Sequence, residues 1–325
     1  MDVPHWLWLA SVGLLVGLLA VDVLVIGRRP HEPSLRECSV GIAFYVALAV
    51  LFGVGVLVAS GGEYAGEFFA GWLTEYSLSM DNLFVFVIIM ARFAVPRELQ
   101  QTALLVGIIL ALAMRGVFIA LGAAAIASFG WVFYVFGAFL VFTAVKLATA
   151  RHGDDAKAPE NALVRWVEKR FPATPDYHGA ALLARVGGRR LVTPMLVVVL
   201  ALGTTDLIFA LDSIPAIYGL TQEPYLVFAA NVFALMGLRQ LYFLLGGLLE
   251  RLVHLGLGLS VVLGFIGVKL VLEALHGNTL PFVNGGEHVE SVPTIPTWLS
   301  LAVIVATLAL TTVTSLIAVR RAERS

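Results

Sequence analysis

Long apolar runs separated by short polar breaks dominate the chain, and nine of them are long enough to cross a bilayer. A membrane-spanning helix needs about 20 predominantly apolar residues. The runs are Trp6–Ile26, Ser39–Ser60, Phe68–Ala91, Thr102–Ala127, Trp131–Ala148, Pro194–Ile217, Tyr225–Leu245, Leu255–Leu275 and Thr297–Val319. Gly256, Gly258, Gly264 and Gly267 dilute the eighth, a composition that suits close packing of membrane helices. The pattern predicts an all-α polytopic membrane protein with nine transmembrane helices in a single domain over 1–325. Only 149–193 forms a sizeable extramembrane insert, too short to bury a core of its own. Within it Leu163, Trp166, Val167 and Phe171 recur at helical spacing, which predicts a short interfacial helix over Asn161–Phe171. Ala184–Val192 reads as a hairpin turning at Gly187-Gly188.

Positive charge then orients the runs. The breaks after the first, third, fifth and seventh runs, together with the C-terminal tail, carry 17 of the 21 basic residues. The opposite breaks carry none, and Arg115, Lys146, Arg239 and Lys269 fall inside runs. Lys and Arg accumulate on the cytoplasmic side, so the N-terminus is expected outside and the C-terminus in the cytoplasm. Composition agrees with a membrane protein. Of 325 residues 59% are hydrophobic and 13% charged, where a soluble domain carries about a quarter charged. The first run does not read as a cleaved signal peptide, since no basic residue precedes it. The single cysteine, Cys38, excludes an internal disulfide or a thiolate cluster. Nothing in the charge pattern points to a nucleic-acid partner.

The apolar runs are interrupted by acids. Glu75-Tyr-Ser-Leu-Ser-Met-Asp81-Asn82 lies in the third run and Asp206-Leu-Ile-Phe-Ala-Leu-Asp212-Ser213 in the sixth. Each has two carboxylates six residues apart, with an amide or hydroxyl beside the second. Ionisable groups in hydrocarbon are costly and mark functional sites by default. The next run of each set carries an arginine, Arg115 or Arg239, and the one after it a lysine, Lys146 or Lys269. Spans three to five (about 68–148) and six to eight (about 194–275) therefore read as a repeat. Three spans is an odd number, so the second copy is inverted, as in many secondary transporters whose ions bind between the copies.

Glu75, Asp81, Asn82, Asp206, Asp212 and Ser213 offer only oxygen. Oxygen sites suit hard or borderline cations such as Mg²⁺, Ca²⁺ and Mn²⁺. Four carboxylates against Arg115 and Arg239 leave a charge that one divalent cation would neutralise. The competing reading is that the acids only pair with the two arginines and fix helix packing. Geometry limits the first reading: six residues turn a regular helix so that Glu75 and Asp81 point about 120° apart. Both reach one ion only if the helix breaks between them; otherwise one acid serves a second or gating site. Pro215 predicts a kink near Asp212. Asp22 is a candidate cytoplasmic gate or an interfacial residue. Lys146 and Lys269 fit snorkelling at helix ends, Lys269 with Glu273 in reach. Asn231 is a further ligand or a helix–helix hydrogen bond.

Glu75–Phe86, Thr205–Ile217 with its Asp-Ser-Ile-Pro-Ala-Ile segment, Gly237–Phe243 and Phe136–Phe142 resemble the TerC/Alx family of bacterial membrane proteins. The resemblance runs over essentially all nine spans. It implies a multi-pass protein of the bacterial plasma (inner) membrane that exports a metal ion, manganese foremost, with links to tellurium resistance and alkaline pH. The family's acidic site residues carry over to Glu75, Asp81, Asp206 and Asp212. Many members have lysine where this chain has Tyr76 and glutamate where it has Gly203. The joint loss keeps net charge, which suggests that the two groups pair in other members. The expected function is export of Mn²⁺ or a similar divalent cation, coupled to protons, with the ion as cargo and no permanently bound cofactor. The alternative is a tellurium-resistance or stress-related membrane scaffold that transports nothing itself. Enzymatic activity is not expected: an intramembrane aspartyl protease carries Gly-x-Gly-Asp, and here Gly-Thr-Thr precedes Asp206.

Overall fold

A computed structural model describes residues 4, 8–14, 17–18, 21, 33–129, 131–149, 174, 176–186, 189–245, 254–276, 278, 280, 284, 287, 289 and 292–322, without the side chains of 81, 84, 127, 186, 189, 245, 255 and 320–322. Beyond a helical stretch over 8–14, the described residues form nine helices. They are α1 (Leu35–Ser60), α2 (Gly62–Arg92), α3 (Arg97–Ser128), α4 (Val132–Thr149), α5 (Pro194–Tyr218), α6 (Pro224–Met236), α7 (Leu238–Leu245), α8 (Leu255–His276) and α9 (Thr297–Ala322). Eight segments are long and apolar enough to cross a membrane, α6 and α7 together making one. These are the second to ninth predicted runs. Much of the first run, including Asp22, and all of Asn161–Phe171 lie outside the described residues.

Local chemistry sets the helix ends. Ser34 caps α1 reciprocally: its Oγ accepts from the Glu37 N–H at 3.2 Å, and its own N–H donates to Glu37 Oε2 at 3.4 Å. This capping box satisfies two orphan donors and starts the helix four residues before the apolar run. Pro194 and Pro224 open α5 and α6 at the first turn, where a missing N–H costs nothing. α2 starts six residues before its apolar run and so takes in Glu63 and Glu67. The seventh run is broken at Gly237, between α6 and α7.

α2, α5 and α6 occupy the middle of the bundle, and α1 and α9 flank α2 from outside. The principal pairs are α4 with α8, α3 with α5 and α2 with α6. α4 and α8 touch backbone to backbone. A Cβ on Gly137 would lie 2.9 Å from the Gly267 carbonyl oxygen, and one on Gly267 would lie 3.0 Å from that of Gly137. Small residues permit this approach in lipid, where dispersion and not water exclusion joins helices. Leu83, Phe86 and Met90 of α2 interlock with Leu104 and Ile108 of α3 and with Val198 and Leu202 of α5. Trp8 stacks edge-on against Tyr225 of α6, with ring centroids 4.9 Å apart, and the Ser11 and Tyr225 hydroxyls are 2.7 Å apart.

The predicted strand pair is present, and its turn at Gly187-Gly188 lies outside the described residues. β1 (Leu183–Val186) and β2 (Arg189–Val192) pair antiparallel, with Leu183 opposite Val192 and Val186 opposite Arg189. The Tyr177 hydroxyl donates to the Phe93 carbonyl at 2.8 Å, tying the insert to the turn between α2 and α3.

Candidate functional site

Arg115, midway along α3, is 1% exposed. A guanidinium presents five donors in a rigid fork, and burying it requires partners for them. α5 supplies the first: Asp206 accepts from Nε at 2.8 Å and from Nη2 at 3.1 Å. This two-point contact is the strongest geometry available to a carboxylate. Nη1 faces α2 and α6 as well, bonding Glu75 Oε1 and donating to Asn231 Oδ1 at 2.9 Å and Ser213 Oγ at 3.2 Å. Asn231 is held in that sense because its Nδ2 donates to the Val227 carbonyl at 2.9 Å. One side chain thus joins four helices.

Helix periodicity decides which residues reach it. Asp206 and Ser213 are seven apart on α5, two turns, and share a face. Glu75 and Ser79 are four apart on α2, and the Ser79 hydroxyl donates to Glu75 Oε1 at 3.3 Å. Asn82 lies on the same face of α2 and is buried. Two carboxylates meet one guanidinium here, so the ionised centre holds a surplus negative charge. The other Glu75 oxygen, Oε2, is buried with no hydrogen-bond partner among the described residues. A bare buried acceptor carries its full desolvation cost, and a cation or a proton would remove it.

The remaining predicted residues lie elsewhere. α2 runs unbroken through Glu75 and Asp81, so the two acids leave the helix about 120° apart; the Asp81 side chain is not among those described. α5 is likewise continuous, with Pro215 inside it. Asp212 therefore turns away from Asp206 toward α4. There Thr143 donates to its Oδ1 at 3.2 Å, and Lys146 is its charged neighbour. The six predicted ligands thus do not converge on one point. Among the described residues no three His, Cys, Asp or Glu side chains do so. Arg239, on α7 just past the Gly237 break, lies within electrostatic reach of Cys38 on α1. Lys269 is buried on α8, with Glu273 and Glu67 as its charged neighbours.

Residues 60–323 match the family described as "Integral membrane protein TerC family". The chain belongs to the TerC family. It is 48% identical over 311 residues to the uncharacterized membrane protein Rv2723 of Mycobacterium tuberculosis, covering 95% of this chain and 78% of that one. The uncharacterized membrane protein STKORF319 of Myxococcus xanthus is 39% identical over 319 residues, covering 98% and 94%. The Alx protein of Escherichia coli K12, described by name alone as a membrane-bound redox modulator, is 36% identical over 275 residues, covering 82% and 85%. No solved structure gives a significant match. Family and relatives make this a multi-pass integral membrane protein.

Sequence reasoning missed Thr143 as the partner of Asp212. The signal was there, because Thr143 and Lys146 are three apart in an apolar helix and so share a face. It also left Glu67 out of the membrane. The Tyr76 and Gly203 positions of this TerC protein have different surroundings. Tyr76 sits by Trp72 and Gly237. A Cβ on Gly203 would lie 2.5 Å from Leu110 Cδ2 and 3.0 Å from Leu110 Cγ. The absent glutamate is replaced by close α3–α5 packing.

Proposed function

We propose that this TerC-family protein exports a divalent cation, with Mn²⁺ as the cargo, through the Arg115 centre. One observation carries the reading: a fully buried cluster in which carboxylates outnumber the guanidinium and one carboxylate oxygen has no partner among the described residues. A purely structural ion pair needs one acid, and a second without compensation is a cost. Arg115 is the internal counter-charge of the empty site. The cargo binds Glu75 and Asp206 as the guanidinium gives way, and a proton on either acid serves the return step. Asp81 and Asp212, about one and two-thirds turns further on, act before or after that centre rather than within it.

Helix pairing supports an inverted repeat of α2–α4 and α5–α8. Exchanging the copies maps the α3–α5 contact onto α6–α2 and the α4–α8 contact onto itself. Such a relation places ion sites between the copies. The distribution of basic residues puts the N-terminus outside. The single cysteine cannot form a disulfide within this sequence, and the rival reading is a non-transporting scaffold.

Radiolabelled Mn²⁺ flux in proteoliposomes, with and without a pH gradient, separates the two. Wild-type protein is expected to move Mn²⁺ faster under the gradient. Asp206→Asn is expected to cut flux at least about tenfold, the effect of 1.4 kcal/mol, while still reconstituting. Absence of flux in the wild type refutes the exporter.

A further inference from the structure

A cavity of about 870 Å³ opens at the end of the bundle where α2 begins and α5 and α8 finish. Glu63 and Glu67 of α2, Glu223 of the α5–α6 loop, and Lys269 and Glu273 of α8 line it. Four carboxylates thus share the lining with one lysine and with His276. Two are held in place: Thr221 donates to Glu67 Oε2 at 2.6 Å and Gln222 Nε2 donates to Glu273 Oε1 at 2.9 Å. Each is engaged through one oxygen. Lys269 is only 8% exposed. Its ammonium makes no hydrogen bond or ion pair among the described residues, and its charged neighbours are Glu273 and Glu67. Four carboxylates against one lysine leave the ionised lining with a surplus of negative charge, which suits a cation.

Its place in the fold ties it to the Arg115 centre. Glu67 precedes Glu75 by eight residues of α2, about 12 Å along the axis. Tyr218, on the cavity wall, follows Ser213 by five residues of α5, about 7.5 Å. The cavity lies on the same two helices as the buried acids, at the end that the basic-residue pattern makes external. We propose that it is a second, release-side site for a hard divalent cation, with Glu67 and Glu273 as ligands, water completing the shell, and Lys269 as a tethered competitor that keeps binding weak. Carboxylates from two helices with retained waters suit such an ion. The proposal rests on the exporter reading for its direction, not for its chemistry.

Terbium(III), a hard oxygen-seeking ion, is the probe, since Trp298 and Tyr64 line the cavity and can sensitise its luminescence. Detergent-purified protein is titrated with Tb³⁺ and then with Mn²⁺ as displacer. Glu67→Gln/Glu273→Gln is expected to abolish the displaceable emission, and Lys269→Met to tighten Mn²⁺ binding by about fivefold or more. Emission unchanged by the paired Gln substitutions, or Mn²⁺ binding unmoved or weakened in Lys269→Met, overturns the site. The two arms change affinity in opposite directions, so misfolding of one variant does not mimic the expected result. The same titration on Asp206→Asn keeps the readings apart: binding there without transport leaves the cavity standing, whereas wild-type transport with an insensitive cavity refutes only this proposal.

Discussion

Replacing Arg115 with methionine tests the buried centre directly. The substitution deletes the bidentate contact to Asp206 and the bonds to Glu75, Ser213 and Asn231, and leaves two buried acids facing each other. Removing one partner of a buried ion pair costs about 3–5 kcal/mol. If the guanidinium stands where a cation binds, a divalent ion should restore much of that loss. A ligand at a hundred times its Kd stabilises by about 2.7 kcal/mol. In wild-type protein the ion must first displace Arg115, so its stabilisation is smaller. The assay is fluorescence-monitored thermal unfolding of detergent-purified protein across a Mn²⁺ series. Arg115→Met is expected to unfold well below wild type without metal and to gain more from Mn²⁺. Glu75→Gln/Arg115→Met/Asp206→Asn removes the charges together and is expected to recover stability and lose the metal response. A Mn²⁺ shift in Arg115→Met no larger than in wild type, or equal to that of the triple variant, refutes the counter-ion argument.

Packing yields two further predictions. Gly267→Ala places a methyl 2.9 Å from Val141 Cγ2 and 3.0 Å from the Gly137 carbonyl, so it should destabilise by about 1–3 kcal/mol. Gly264→Ala, whose new methyl meets Ala144 Cβ at 3.5 Å, should stay within about 0.5 kcal/mol; equal unfolding temperatures would show that α4 and α8 are not in close contact. Charge balance alone would let Tyr76→Lys/Gly203→Glu be tolerated. With Leu110 in the way it should instead lose stability, and adding Leu110→Ala should restore it. A double variant as stable as wild type would return the argument to charge alone.

Some of the candidate site was legible along the chain, and some required the neighbours. Two turns of helix relate Asp206 to Ser213, and one relates Glu75 to Ser79, so the faces that carry oxygen follow from numbering alone. That Glu75 and Asp81 cannot share a point also follows, once no break intervenes. Nothing along the chain says that Arg115 takes Glu75 and Asp206 together while Arg239, its counterpart in the charge order, sits by α1. The difference comes from which helices surround each arginine. Asn231 is a case between the two: its polarity in an apolar run flagged it, and only the packing of α6 on α2 and α3 gave it a partner.

The sequence by itself determined what local energetics control. The length of each apolar run is set by bilayer thickness, so the eight crossing segments of the described residues fall among the nine read from the sequence. The pairing of β1 with β2 and the helix starts at Ser34, Pro194 and Pro224 rest on chemistry within a few residues. The tertiary structure decided what depends on helix rotation and adjacency. It turned Asp212 toward Thr143, placed Lys269 beside Glu67 and Glu273, broke the seventh run at Gly237 and joined four helices through Arg115. In lipid an apolar face has no preferred partner, because hydrocarbon and leucine are alike to it. The buried charges and the glycine contacts, being the interactions that differ between arrangements, select the one that forms.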